Sequence, residues 1–159
     1  MTKTRTLFSF LFLTSLGTVA WTLGPVDSPV EADDAKPADN DIQPVDDDIH
    51  HFMEYIFRPN YTRLKAAMAR EPADKQAWRA IKEDSLTLAE CANLLAMRVP
   101  EDGYMWKDIS IRVRDRGSQF YQAARKSDYV SARKAYVSML QQCNACHTKF
   151  ADGEHQLMP

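Results

Sequence analysis

Cysteine is scarce in this chain: there are three, Cys91, Cys143 and Cys146. No second C-x-x-C pair accompanies the one at residues 143–146, which excludes a self-contained four-cysteine zinc site. No alternating apolar run is long enough to suggest a sheet. Paired catalytic carboxylates, a nucleophile–base pair and a phosphate-cradling loop are all missing from the sequence, so the chain is not expected to be an enzyme. Its formal net charge is only −2, and nothing in the pattern calls for nucleic acid.

What is present stands close to the end. Cys143-Asn144-Ala145-Cys146-His147 has the C-x-x-C-H form of a covalent haem attachment site. Two thiols can add across the two vinyl groups of a haem, and the adjoining imidazole then serves as an axial ligand. The spacing lets one helical turn present both sulfurs and the histidine to one side of the porphyrin. Other readings compete. A redox dithiol prefers a βαβ setting, and none is visible nearby. Half of a structural zinc site is a second option, with His147 or His155 as third ligand. A plain disulfide fits poorly, because cysteines one helical turn apart rarely meet its geometry. Spacing and context favour one covalent haem c per chain.

The opposite end of the chain agrees with export, and covalent haem attachment is an extracytoplasmic process. Residues 1–20 hold Lys3 and Arg5, then an apolar stretch from Leu7, and no acid. That is the layout of a secretory signal, with Thr18-Val19-Ala20 supplying small residues for cleavage. The alternative is an uncleaved anchor over residues 7–23, at the lower length limit for a bilayer span and interrupted by Thr14, Ser15, Thr18 and Thr22. Either outcome puts the remainder outside the cytoplasm, in the periplasm or an equivalent compartment.

Residues 21–45 follow as an acidic linker containing Pro25, Pro29, Pro37 and Pro44. Such a segment buries too little apolar surface to offset the entropy of ordering it. The charge divides sharply before Ile49. From Trp21 to Asp48 nine acids face the single Lys36, whereas from Ile49 onward seventeen Lys and Arg outnumber thirteen acids. The plain reading is a solvated tether on a mildly basic domain; the functional one has the tether screening a basic docking face.

Residues 46–159 read as one all-α domain. The first helix should open at Asp46 to Asp48, where acids favour the positive end of the helix dipole. It carries Ile49, Phe52, Met53, Ile56, Leu64, Ala67 and Met68, with Pro59 as a point of kinking or breakage. The second starts at Pro72 and ends near Pro100, with Trp78, Ile81, Leu88, Ala92 and Leu95 inward. The third runs from about Gly103 to Lys126, and the fourth from the Ser127-Asp128 cap to Phe150. Met97, Met105 and Met139 are expected in the core, and Cys91 as a buried inert thiol. Trp78, Trp106, Phe120, Tyr121 and Tyr136 are expected to build the core around the porphyrin.

Four helices joined by short connections imply an antiparallel four-helix bundle, with the haem near the C-terminus of the last helix. The start of the first helix then lies beside the end of the fourth. Met53 occupies the level of His147 and shares an inward stripe with Ile49 and Ile56, so it is the candidate distal ligand. His50 and His51 are its rivals, although first-turn histidines of this kind are usually solvated. A core-filling role is the plain alternative for Met53, and His155 reads as a surface residue.

With its C-x-x-C-H at the end of the last of four helices, the chain resembles the cytochrome c-prime family, including its six-coordinate relatives. The likeness covers about Asp46 to Phe150 and is most specific at Cys143-x-x-Cys146-His147-x-x-Phe150. It implies that Cys143 and Cys146 hold the haem, that His147 is the proximal ligand, and that an early first-helix residue covers the distal face. A methionine there implies a low-spin electron-transfer protein working with redox protein partners. An apolar residue that cannot ligate implies a five-coordinate iron that binds NO or CO. The resemblance is compatible with a homodimer. One departure is that Lys149 precedes Phe150 and Ala151 follows it, where the family often has a basic residue directly after the aromatic.

Amino-terminal sequencing of the exported protein should find a start near Trp21. An intact Met1 recovered with the membrane fraction would instead establish the anchor over residues 7–23.

Overall fold

The computed structural model describes residues 43–98 and 103–159. The export segment at 1–20, the alternative anchor at 7–23 and the linker as far as residue 42 lie outside the described residues. Among those described there are four helices and no strand, and none of the helices is long and apolar enough to cross a membrane.

Helix α1 covers residues 49–68 in three stretches: α over Ile49–Phe52, π over Met53–Phe57 and α again over Arg58–Met68. The carboxylate of Asp48 caps it, accepting from the His50 amide at 2.7 Å. Pro59 neither breaks nor ends the helix. Its ring crowds the carbonyl four residues back and it lacks an amide hydrogen, and the turn ahead of it is wound wider. The Arg58 amide bonds to the Met53 carbonyl five residues earlier. Asn60 then donates its side-chain amide to the Ile56 carbonyl at 2.6 Å.

Helix α2 spans Lys75–Met97, α3 Tyr104–Arg125 and α4 Tyr129–Phe150. The second helix starts at Lys75 rather than Pro72, because Asp74 supplies the cap, accepting from the Ala77 amide at 2.8 Å. Asp128 does the same for α4, from the Ser131 amide at 3.0 Å. Between α3 and α4 the Asp128 amide reaches the Ala123 carbonyl and the Ser127 amide the Ala124 carbonyl, with Ser127 left-handed at φ 53°. This is a Schellman closure with serine where glycine is usual.

Neighbouring helices run in opposite directions. Near the end of α2 the Leu95 carbonyl accepts from Trp106 Nε1 at the start of α3, at 2.8 Å, while Ala89 meets Gly117 further along α3. Arg63 of α1 grips Asp84 of α2 through Nε and Nη2, the closest approach being 2.6 Å, and also holds Asn60 Oδ1 at 2.8 Å. The start of α4 lies at the end of α1, where Tyr129 donates to the Met68 carbonyl at 3.2 Å.

Two apolar clusters fill the bundle. The larger contains Leu64, Met68, Ile81, Phe120, Tyr136 and Met139, all fully buried. The smaller, at the end where α1 starts and α4 ends, gathers Leu95, Trp106, Ile109 and Cys146. Burial of each large side chain contributes about 1.5–3 kcal/mol. Four expectations change. Tyr121, expected in the core, is only half-buried and lies in neither cluster. Met97 and Met105 are exposed (48 and 47 %), since Leu95 and Trp106 take the inward places at that end, and only Met139 is core. Cys91 is half-buried rather than buried. Ile56 leaves the inward stripe: the wide turn advances the register by one, so Phe57 joins Ile49 and Met53 while Ile56 lines an outer cleft.

A Cβ on Gly117 would stand 3.0 Å from Ala89 Cβ and 3.1 Å from its Cα, a backbone that cannot step aside alone. Gly117→Ala should therefore lower the melting temperature. Overpacking costs about 1–3 kcal/mol, against a helix-propensity gain of at most about 1 kcal/mol. Adding Ala89→Gly should restore most of the loss; an unchanged or raised melting temperature for the single variant would show that the helices part easily.

Candidate functional site

Cys143, Cys146 and His147 lie on the last turns of α4. Cys146 is buried in the smaller cluster, against which Ile49, Phe52, Met53 and Phe57 of α1 pack. Cys143, half-buried, packs against the larger cluster one turn below. The two sulfurs are not joined. Burial pushes the Cys143 thiol up to about 12, with the neighbouring Cys146 adding to the rise, and pushes Cys146 up to about 11. Thiols so far above the ordinary range are protonated and weakly nucleophilic, the opposite of a reactive dithiol.

His147 is half-buried. Its Nδ1 lies 2.9 Å from the backbone carbonyl of His155. A carbonyl only accepts, so Nδ1 carries the hydrogen and the Nε2 lone pair stays available to a ligand. Burial lowers the pKa of the ring, and the His155 hydrogen bond partly opposes that. The neutral form, the one that can bind a metal, is thereby favoured.

Of the first-helix candidates, Met53 comes to the cluster that contains Cys146, at the first position of the π stretch. The histidines point elsewhere. His51 donates Nδ1 to Asp46 at 2.9 Å and stacks on Tyr55 with ring centroids 5.3 Å apart. It lines an outer cleft of about 410 Å³ together with Phe52, Ile56, Leu94 and Arg98. His50 is exposed. The ring of His155 is exposed as expected, and it is the backbone of that residue that touches the site. No group of three or more His, Cys, Asp or Glu among the described residues is placed to hold a metal ion.

Other contacts complete the end of the bundle. Phe150 sets its ring edge-on to Trp106 at 5.1 Å, and Arg98 lies 4.0 Å over the Phe52 ring. Residues 151–159 form no helix, yet they fold back over α4. Asn144 donates to the Leu157 carbonyl at 2.9 Å and accepts from its amide at 2.7 Å. Tyr61 does likewise with Met158, at 2.9 and 3.1 Å. Apart from the surface placement of His155, the course of this segment carried no expectation from sequence. The one hint is an apolar pair, Leu157-Met158, at the end of a polar tail.

No family model matches this chain, nor does any curated protein or solved structure.

The hydrogen bond that His51 donates to Asp46 raises the pKa of the ring, with Asp48 adding to it. A raised histidine value means that the contact stabilises the fold below the unfolded pKa and is lost as pH rises through the folded one. Followed by NMR, His51 should titrate above the ordinary imidazole range in the wild type and fall back in Asp46→Asn. Equal midpoints would show that the contact has no weight in solution.

Proposed function

We propose that this chain is a monohaem c-type cytochrome that carries electrons outside the cytoplasm. The observation that carries the reading is that one apolar cluster gathers Cys146 and Met53, on the helix whose His147 keeps Nε2 free. The donor set fits the group. Cys143 and Cys146 would hold a haem c through two thioethers, His147 would be the proximal ligand and Met53 the distal one. Bound there, the haem supplies reversible one-electron oxidation and reduction of its iron.

The chain's own part is placement and exclusion. The His155 carbonyl fixes the hydrogen on Nδ1 of His147, so that Nε2 is the nitrogen that would bind a metal. Phe52, Phe57, Trp106 and Ile109 surround the Cys146 end with apolar surface, which limits water and favours the less charged state of a redox centre. A thioether supplied by Met53 would raise the potential of such a group and would take up the place where a substrate could otherwise bind. The competing readings find less support. The thiols are too basic for a dithiol couple, and a zinc site lacks its third and fourth ligands among the described residues.

Protein produced with a haem-maturation system should keep one haem through acid–acetone extraction and show the added mass. Haem leaving with the solvent would overturn the proposal. The attached form should be low-spin, with a weak sulfur-to-iron charge-transfer band when oxidised. Met53→Ala should abolish that band, admit carbon monoxide and lower the potential. Its stability loss should sit at the low end of the about 2–5 kcal/mol typical of buried methionine truncation, since Met53 is only half-buried. His50→Ala and His51→Ala should leave the spectrum unchanged. A wild type that is already high-spin and binds carbon monoxide would make Met53 a packing residue and the protein a gas binder.

A further inference from the structure

The segment after α4 is tied down more firmly than a surface extension requires. Its turn begins on the site itself: the His147 carbonyl accepts from the amides of Ala151 at 2.9 Å and Gly153 at 3.1 Å. Asp152, Gly153 and His155 all adopt positive φ, at 47°, 79° and 56°. Asp and His enter that region more readily than most residues, and the turn closes on its own backbone. Two side chains then anchor the segment beyond it, each with a donor and an acceptor on the backbone of one tail residue. Asn144 grips Leu157 and Tyr61 grips Met158. Leu157 also packs against the larger core cluster.

Between the turn and the two grips lies His155, whose carbonyl reaches His147 Nδ1. Asn144 and His147 are three residues apart on a helix and so share a face, and the tail runs across both. The doubled hydrogen bonds and the single carbonyl aimed at the ring have one common result. The ring of His147 is held in one tautomer and one orientation.

We infer that residues 151–159 are a strap whose task is to position His147, with Asn144 and Tyr61 as positioning residues that act through the His155 carbonyl. The inference rests on the reading of His147 as an iron ligand. A hydrogen bond from the far ring nitrogen to a carbonyl makes the ligating nitrogen more basic, and such outer partners orient the ligand. A more basic proximal ligand favours the oxidised iron and lowers the potential. The strap therefore opposes the rise that a methionine ligand produces.

The test uses Asn144→Ala, Tyr61→Phe and a chain ending at Glu154, with two measurements on each. In the full-length chain without haem, nitrogen-15 NMR of the His147 ring should show hydrogen on Nδ1 in the wild type. It should shift toward the Nε2–H form in both point variants, and furthest in the shortened chain. In the haem-loaded protein the potential should rise in the same order. Asn144→Asp keeps the acceptor for the Leu157 amide and loses the donor, so it should fall between wild type and Asn144→Ala. A merely structural tail would change melting temperature while leaving tautomer and potential where they were, and that outcome overturns the inference. Should no haem attach at all, the tautomer measurement still decides whether the strap holds the ring, while the cytochrome proposal alone fails. If Asn144→Ala does not fold, Tyr61→Phe, remote from the attachment motif, decides the same question.

Discussion

Pro59 sets the register on which this end of the molecule depends. A proline inside a helix withdraws one amide hydrogen and forces its ring against the carbonyl one turn back. Here the chain accommodates it with a single wide turn, Met53–Phe57, instead of a kink or a break. The side chains after that turn are rotated relative to a regular helix. Phe57 consequently faces the interior with Ile49 and Met53, and Ile56 turns to the outer cleft. The Ile56 carbonyl accepts from the Asn60 side chain, which in turn accepts from the Arg63 that holds Asp84. One imino acid thus links the α1 side of the candidate site to the polar lock between α1 and α2.

The site itself is assembled from ends. The first turns of α1, the last turns of α2 and α4 and the first turns of α3 meet there, each contributing residues that no single helix could supply. Arg98 closes the outside, its guanidinium over the Phe52 ring at 4.0 Å and its Nη2 3.4 Å from the Asp46 carbonyl. Arg98 is half-buried, with its Nε covered and unpartnered, and a cation so placed over an aromatic face contributes about 0.5–1 kcal/mol or more toward holding the first turn of α1. The interior remains apolar, which is why both thiols are pushed well above their ordinary range and the imidazole is pushed down.

Much of this is legible in the sequence, for definite reasons. The four helices follow from 3.6-residue periodicity and from capping residues at Asp48 and Asp128. Connectivity alone brings Met53 toward the end of α4, because short links force consecutive helices to alternate direction. The departures have equally definite causes. Pro72 suits a first helical position, but Asp74 caps better. Met97 and Met105 keep the helical spacing and still face solvent, since periodicity does not say which of two adjacent apolar residues wins the inward place at a helix end. Counting 3.6 residues per turn places Ile56 inward, but the turn it belongs to holds more. The His155 carbonyl, the most informative contact of the site, could not be anticipated: every residue has a carbonyl, and only the fold determines where it points.

The grip of Tyr61 on Met158 joins positions 97 residues apart, which has a consequence for the order of events during folding. Contacts within a helical hairpin are local and form early, whereas one that spans the whole bundle must await the approach of elements already built. Tyr61 meets Met158 only when α1 has docked beside α4. Residues 151–159 also follow all four helices in the order of synthesis. The hydrogen bond between His147 Nδ1 and the His155 carbonyl can therefore close only after the last segment of the chain has been laid over α4.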